Sequence, residues 1–420
     1  MARSYFGTDG IRGVVGQDLT PEIVERLGRA ATIWAGGGSV LLGRDTRGSG
    51  PELEQALARG IVSVGGCAVL AGVLPTPAVA LFARDLGAVV SASHNPPEYN
   101  GVKLFDRDGA KLTDAVEEEI EALFDEVPWG GGGIEHDDGV SSRYVERVLE
   151  RFGSDLSGLR IGVDCANGAY AKIAPKAFQR LGAEVTEIGT EPDGANINVG
   201  CGATYLRTLQ RTVASSGLDL GVAFDGDGDR MLAVDGDGCA VDGDEIVAIL
   251  ALHLGVDVVA VTTMTNLGFH ALMAEHGVRV VTTDVGDRYV LEALGREGGK
   301  LGGEQSGHII WLDGHVTGDG LVAALLLCRA LEGRPLAQAA ATMRRFPQAM
   351  ENVPAATKDL PQSITSEVEE LNRRLGASAR VVVRPSGTEP VVRVLAEAET
   401  AEEAADLCGT ISALVRRELG

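Results

Sequence analysis

Three times in succession a strand-like segment empties into a polar, glycine-bearing loop, with helical segments between. Ala88-Val89-Val90 leads into Ser91-Ala92-Ser93-His94-Asn95-Pro96-Pro97. Asp219 to Phe224 ends on Asp225-Gly226-Asp227-Gly228-Asp229-Arg230, and Lys300-Leu301 leads to Gly303-Glu304-Gln305-Ser306-Gly307-His308. Short apolar runs bounded by turn residues read as buried strands, and strands alternating with helices read as α/β units. Such proteins keep their chemistry in loops at the C-terminal ends of parallel strands. The pattern predicts an α/β fold of three consecutive α/β domains with mixed sheets, a repeat of structure without sequence identity. After Arg344-Arg345-Phe346-Pro347 the grammar changes. Strands Arg380 to Arg384 and Val391 to Leu395 flank Pro385-Ser386-Gly387-Thr388-Glu389-Pro390, and a helix closes the chain from Thr400 to Leu419, giving a smaller C-terminal α+β domain. The expected boundaries are 1–148, 149–240, 241–345 and 346–420, with Trp129 to Gly133 as a linker edge.

Charge narrows the function. The chain holds 37 Lys and Arg against 60 Asp and Glu, a net charge of −23, which argues against nucleic acid and anionic membrane surfaces as partners. An anionic small molecule would need a local cationic cluster. Lysine is scarce, and Lys103 follows Ser93 by ten positions; Asn100-Gly101 and Asp106 to Gly109 read as turns around a hairpin that brings it back beside the serine. The acidic helix near Glu117, Glu118, Glu119 and Glu121 reads as a solvated face. Six scattered cysteines without a C-x-x-C pair and no apolar leader at the N-terminus point to a cytoplasmic protein with reduced thiols. The uncharged stretch Ile61 to Ala83 is broken by Gly65-Gly66, Gly72 and Pro75-Thr76-Pro77, so it reads as helix, strand and loop and not as a membrane span. Gly43 and Gly48 have P-loop spacing, but Ser49-Gly50 stands where Lys-Ser/Thr is needed.

The loops carry distinct chemistries. Two carboxylates 4 Å apart repel by about 4 kcal/mol at an effective dielectric of 20, so Asp225, Asp227 and Asp229 at alternate positions call for a cation. An all-oxygen set selects Mg²⁺ or a similar hard ion. An EF-hand is excluded by Arg230 at the sixth position and Gly236 at the twelfth. A haloacid-dehalogenase-like phosphatase with Asp225 as nucleophile stays open, because Asp225-x-Asp227 follows a strand. Arg384, Ser386, Gly387 and Thr388, with Arg393 on the next strand, supply the forked donors and backbone nest that suit a phosphate dianion. Glu304, Gln305, Ser306 and His308 offer a hydrogen-bonding set suited to sugar hydroxyls. His94 beside Ser93 makes no catalytic pair on this reading, since neighbours on an extended loop point to opposite sides.

In this order, Phe6-Gly-Thr-Asp-Gly-Ile-Arg-Gly13, Ser91 to Pro96, Asp225 to Arg230, Gly303 to His308 and Arg384 to Pro390 resemble the motifs of the α-D-phosphohexomutase superfamily over essentially the whole chain. Gly7-Thr-Asp-Gly-Ile-Arg12 and Glu304-Gln-Ser306 favour its glucosamine-phosphate branch over its mannose- and glucose-phosphate branches. The resemblance implies a heart-shaped molecule with a central cleft and a mobile last domain. It implies phosphoserine at Ser93 and one Mg²⁺ on Asp225, Asp227, Asp229 and the Ser93 phosphate. Thr8, Glu304 and Ser306 would contact the substrate, and Arg384, Ser386, Gly387, Thr388 and Arg393 would hold its non-reacting phosphate. Arg12, Arg230 and Lys103 would surround the serine, with Lys103 or His308 moving the proton. The implied activity interconverts glucosamine 6-phosphate and glucosamine 1-phosphate through a 1,6-bisphosphate, feeding UDP-N-acetylglucosamine synthesis. The implied partners are the phosphosugar, its bisphosphate and a second copy in a homodimer.

Overall fold

The computed structural model describes residues 5–7, 10–355, 357, 359–386 and 390–419. Strands β1 (Ile11–Val14), β2 (Ser39–Arg44), β3 (Cys67–Val73), β4 (Leu86–Val90), β5 (Tyr99–Asp106) and β6 (Gly133–His136) form the first sheet, in the order β1-β5-β4-β2-β3-β6. The second, in the order β11-β10-β9-β7-β8, contains β7 (Arg160–Asp164), β8 (Glu184–Ile188), β9 (Leu220–Phe224), β10 (Met231–Asp235) and β11 (Ala240–Val241). The third, β13-β12-β14-β15, contains β12 (Val258–Thr262), β13 (Arg279–Thr283), β14 (Leu301–Gly303) and β15 (Ile309–Trp311). All three mix parallel and antiparallel pairs. The last sheet is antiparallel, β16 (Gln348–Pro354) and β17 (Arg380–Pro385) flanking β18 (Val391–Glu397).

The apolar runs are buried because apolar side chains leave water: β4 (Leu-Gly-Ala-Val-Val) and β9 (Leu-Gly-Val-Ala-Phe) bury every residue, as strands covered by helices on both faces must. One apolar cluster runs from Leu41 and Val89 through Phe178 and Phe224 to Leu326 and Met343, joining the first three layers. The last sheet packs on its own cluster of Val353, Ile364, Val392 and Ile411. A unit with its own core can shift as a body.

Three expectations need correction. Asn100-Gly101 lies inside β5 and not in a turn, because β5 runs antiparallel to β4 with Val90 opposite Val102, so the hairpin loop is the serine loop itself. Trp129 to Gly133 leads into an edge strand, β6, parallel to β3, and is not a linker edge. Glu117 is buried at 5 % exposure, so the acidic helix is not wholly a solvated face. Among the described residues no helix is long and apolar enough to cross a membrane.

At the junction with the last unit, Asn266 donates to Phe346 O (2.9 Å) and accepts from Phe346 N (3.0 Å). Buried Asp244 accepts from Asn266 N at 2.8 Å. Burial, then the nearby Asp242, push the Asp244 carboxyl up to about 8. The unfolded chain ionises Asp244 near about 4 while the folded chain keeps its proton. This group therefore favours folding fully below about pH 4 and progressively less as pH rises toward 8. Asp244→Asn, which keeps an acceptor for Asn266, is expected to flatten the decline of melting temperature between pH 5 and 8; an unchanged slope would reject the assignment.

Candidate active site

The serine loop closes the β4–β5 hairpin, and Ser93 sits in the left-handed region at φ +52°. A non-glycine residue stays there only when its surroundings fix it. Here they do: Ser93 N donates to Ser91 Oγ (2.9 Å), and Ser91 Oγ donates to Asp45 Oδ2 (2.5 Å). Arg47, fully buried and paired with Asp45 at 2.9 Å, donates to Ser93 O (2.9 Å), Asn95 O (2.8 Å), Tyr99 O (3.0 Å) and Pro96 O. From the second unit Asn198 Nδ2 also reaches Ser93 O at 2.9 Å. Sequence reasoning missed Asp45 and Arg47, having weighed their stretch only as a failed P-loop. The available signal was an Asp-x-Arg pair just past a buried strand.

The same backbone turn corrects the expectation for His94. With Ser93 at positive φ the loop is not extended, and His94 Nδ1 lies 3.2 Å from Ser93 Oγ. Burial, then Arg230 and Arg12, depress the imidazole to about 4, leaving it neutral beside the serine.

Asp225, Asp227 and Asp229 fill the turn between β9 and β10, and all three are buried. Each offers a carboxylate oxygen within 4.8 Å of the others. Ser93 Oγ donates to Asp225 Oδ2 at 2.6 Å, joining the first and second units at the reacting atom. Lys103, opposite Val89 on β5, places Nζ 2.8 Å from Asp227 and 2.9 Å from Asp229. Burial, reinforced by Asp229 and Asp227, raises Asp225 well above its ordinary value. Burial opposes ionisation of Asp229 too, but Lys103, His308 and Arg230 outweigh it and hold that carboxyl well below the usual range. The interleaved glycines follow from close approach: a Cβ on Gly226 would lie 2.6 Å from Ser93 O, and one on Gly228 (φ +78°) 2.4 Å from the Tyr170 ring. Three converging carboxylates, with Asp227 Oδ1 buried and lacking a hydrogen-bond partner, fit a hard divalent cation.

Over this floor opens a cavity of about 450 Å³, lined by Arg12, Arg230, Glu304, Ser306, His308, Asp287, Arg384 and Arg393 among others. The third unit contributes its sugar-type loop between β14 and β15. Glu304 accepts from Gly286 N at 3.1 Å, and burial, then Asp287, raise its carboxyl. Burial tends to discharge His308, but Asp287 (3.3 Å from Nε2) and Asp229 (3.8 Å from Nδ1) leave it above its ordinary value. Arg384 and Arg393 are direct partners across β17 and β18. Burial, then Arg393, lower Arg384, whose Nε is buried without a partner, a pairing that an anion would relieve. Ser386 is buried beside them. Thr8, Gly387 and Thr388 lie outside the described residues. Asp287, which sequence reasoning passed over, stands at the start of the helix Asp287–Glu297 directly after Gly286.

Family models for the phosphoglucomutase/phosphomannomutase α/β/α domains I, II and III match residues 3–129, 142–238 and 242–346, and the model for the C-terminal domain matches 336–414. Phosphoglucosamine mutase of Pelotomaculum thermopropionicum is 48 % identical over 98 % of both chains. That of Moorella thermoacetica is 48 % identical over 95 % of this chain and 96 % of its own. A crystal structure of a phosphoglucomutase/phosphomannomutase family protein from Burkholderia thailandensis superposes with a TM-score of 0.85 at 25 % identity, covering 98 % of this chain and 96 % of that one. Agreement of this extent, spanning all four units and every loop around the cavity, shows that the chain belongs to the phosphoglucosamine mutase family of the α-D-phosphohexomutases.

Proposed function

We propose that this phosphohexomutase interconverts glucosamine 6-phosphate and glucosamine 1-phosphate by means of a phosphoryl group carried on Ser93. The observation that carries the reading is the placement of Ser93 Oγ, 2.6 Å from Asp225 of the acidic triad, whose Asp229 lines a cavity walled by four arginines. Phospho-Ser93 passes its phosphoryl group to O1 of glucosamine 6-phosphate: the P–Oγ bond breaks, the P–O1 bond forms, and the O1 proton leaves to a base. Lys103 or His308 is the group proposed to move that proton. The bound 1,6-bisphosphate then reverses its ends and returns the 6-phosphoryl group to Oγ, releasing glucosamine 1-phosphate.

Transfer through a loose transition state needs positioning and charge neutralisation above all. Arg12 and Arg230 face the transferring group. Arg384, Ser386 and Arg393, with Gly387 and Thr388 by motif, hold the other phosphate, while Glu304 and Ser306 orient the sugar hydroxyls, joined by Thr8 by motif. Mg²⁺ held by Asp225, Asp227, Asp229 and the Ser93 phosphate would supply neutralisation of charge on the transferring oxygens. A phosphatase using Asp225 is disfavoured, because its Oδ2 already accepts from the serine hydroxyl. The setting proposed is the cytoplasm, supported by six free thiols; a homodimer is proposed from the family resemblance.

Incubated with glucosamine 6-phosphate, the protein is expected to yield glucosamine 1-phosphate faster than it converts glucose or mannose phosphates. A chelator should stop turnover and added Mg²⁺ restore it. Stoichiometric free phosphate, with a trapped adduct on Asp225, would overturn the proposal.

A further inference from the structure

The first and third units meet beside the active site through two ion pairs of opposite polarity. Lys111, on the hairpin that follows the strand of Lys103, pairs with Asp287. Asp114, which opens the next helix, pairs with Arg288 at 2.6 Å. Each unit thus presents one positive and one negative group to the other. Sliding or rotation along the seam would separate both pairs or bring like charges together, so the arrangement fixes register as well as contact.

Three of the four side chains are largely withdrawn from water, at 9 % (Lys111), 15 % (Asp287) and 10 % (Arg288) exposure, with Asp114 at 46 %. This distinguishes the seam from pairs such as Arg26–Asp125, whose carboxylate is 96 % exposed and which contributes little. Arg288 also lies 3.7 Å from Glu292 on its own helix, so Asp114 is the partner it has across the seam; a largely buried guanidinium or ammonium that loses a partner is disfavoured.

The seam is tied to both sides of the active site. Asp287 lies 3.3 Å from His308 Nε2, and Gly286, just before it, donates to Glu304 at 3.1 Å. On the other side Lys111 pairs antiparallel with Phe105 on the strand that carries Lys103. We infer that Asp114 and Arg288, with Lys111 and Asp287 as the inner rung, form an ion-pair latch that sets the wall bearing Glu304 and His308 against the wall bearing Ser93 and Lys103. Asp114 and Arg288 are positioning residues: they touch no reacting atom and act through the walls they align. This inference rests on the phosphoserine reading above, in which a bisphosphate turns round between the two walls without escaping. The cleft must then keep its width while the last unit moves, and the latch holds that width.

The test uses full-length protein phosphorylated on Ser93 and measures kcat together with the fraction of 1,6-bisphosphate released per turnover. Arg288→Asp and Asp114→Arg are each expected to lower kcat about tenfold and to raise bisphosphate release by a similar factor. The double exchange should restore both to within about threefold of wild type. A double variant no better than the product of the singles, or singles that release bisphosphate at the wild-type ratio, would overturn the latch. If Arg288→Asp does not fold, Asp114→Ala at the half-exposed end decides: a few-fold rise in release supports the latch, and an unchanged ratio rejects it. Absence of phospho-Ser93 in a wild type that turns over removes the phosphoserine reading and the latch with it. Phosphorylated, active wild type with indifferent variants removes the latch alone.

Discussion

Ser93→Ala is expected to reduce mutase turnover by at least about 10⁴-fold, the scale on which an enzyme loses rate when its nucleophile is removed. The fold should survive. Ala keeps the backbone donor to Ser91 Oγ, and the carbonyl still accepts from Arg47 and Asn198. What disappears is the hydroxyl that meets Asp225 at 2.6 Å, and burial has already raised that carboxyl well above its ordinary value. The cost in stability should therefore stay near about 1 kcal/mol. Mass spectrometry of protein as purified should find phosphate on Ser93 in the wild type and none at that position in the variant. Full turnover by Ser93→Ala would end the phosphoserine account, whatever else holds in the site.

Arg47→Met should act in the opposite sense, on the fold first and on catalysis through it. The substitution leaves the carbonyls of Ser93, Asn95, Pro96 and Tyr99 without this donor and strands Asp45 as a buried carboxyl without its cation. Removing one partner of a buried ion pair costs about 3–5 kcal/mol, a large share of the stability of any domain. The left-handed turn at Ser93 is then no longer fixed, so folded Arg47→Met should also turn over far more slowly than wild type. Arg47→Lys restores the charge but not the planar fork that serves several carbonyls at once, so it should recover stability more than activity. Denaturant midpoints for the three proteins, read beside kcat, check the ordering. A Met variant within about 1 kcal/mol of wild type would show that the loop is held by other means.

How much of this was legible beforehand depended on whether the relevant interaction was local. The strands ahead of the Ser93 and Asp225 loops were legible because burial on both faces demands unbroken apolar runs. The acidic loop was legible because charge density in a short turn is itself a local fact. The misreadings lay where a partner distant in the chain decides the outcome. Asn100-Gly101 has turn chemistry, yet pairing with β1 and β4 draws it into β5, with Arg12 opposite Gly101. Glu117 sits in an acidic helix that looks solvated, yet that helix packs on the first unit with Glu117 turned inward. His94 was set aside on the geometry of an extended loop, and Arg47 holds that loop in another shape. In the last unit β16 and the helix Gln362–Leu375 were missed, because mixed polar and apolar residues on a half-exposed sheet give a weak pattern.

By itself the sequence determined which residues end up at the ends of buried strands. Strand burial is a matter of side-chain transfer from water, and each stretch carries that preference wherever it folds. From this came the serine loop, the acidic loop, the sugar-type loop and the arginine pair, and with them the chemistry available to the protein. Only the tertiary structure decided that the acidic loop, the sugar-type loop and the arginine pair line one cavity, that Ser93 Oγ meets Asp225 from another unit, and that Lys103 reaches Asp227 and Asp229. It also decided that Asp45 and Arg47 hold the serine turn and that Asp287 and Arg288 face the first unit across the cleft. These are contacts between groups 46 to 176 residues apart. No local preference encodes such a contact, because its free energy exists only once the surfaces that carry it have packed.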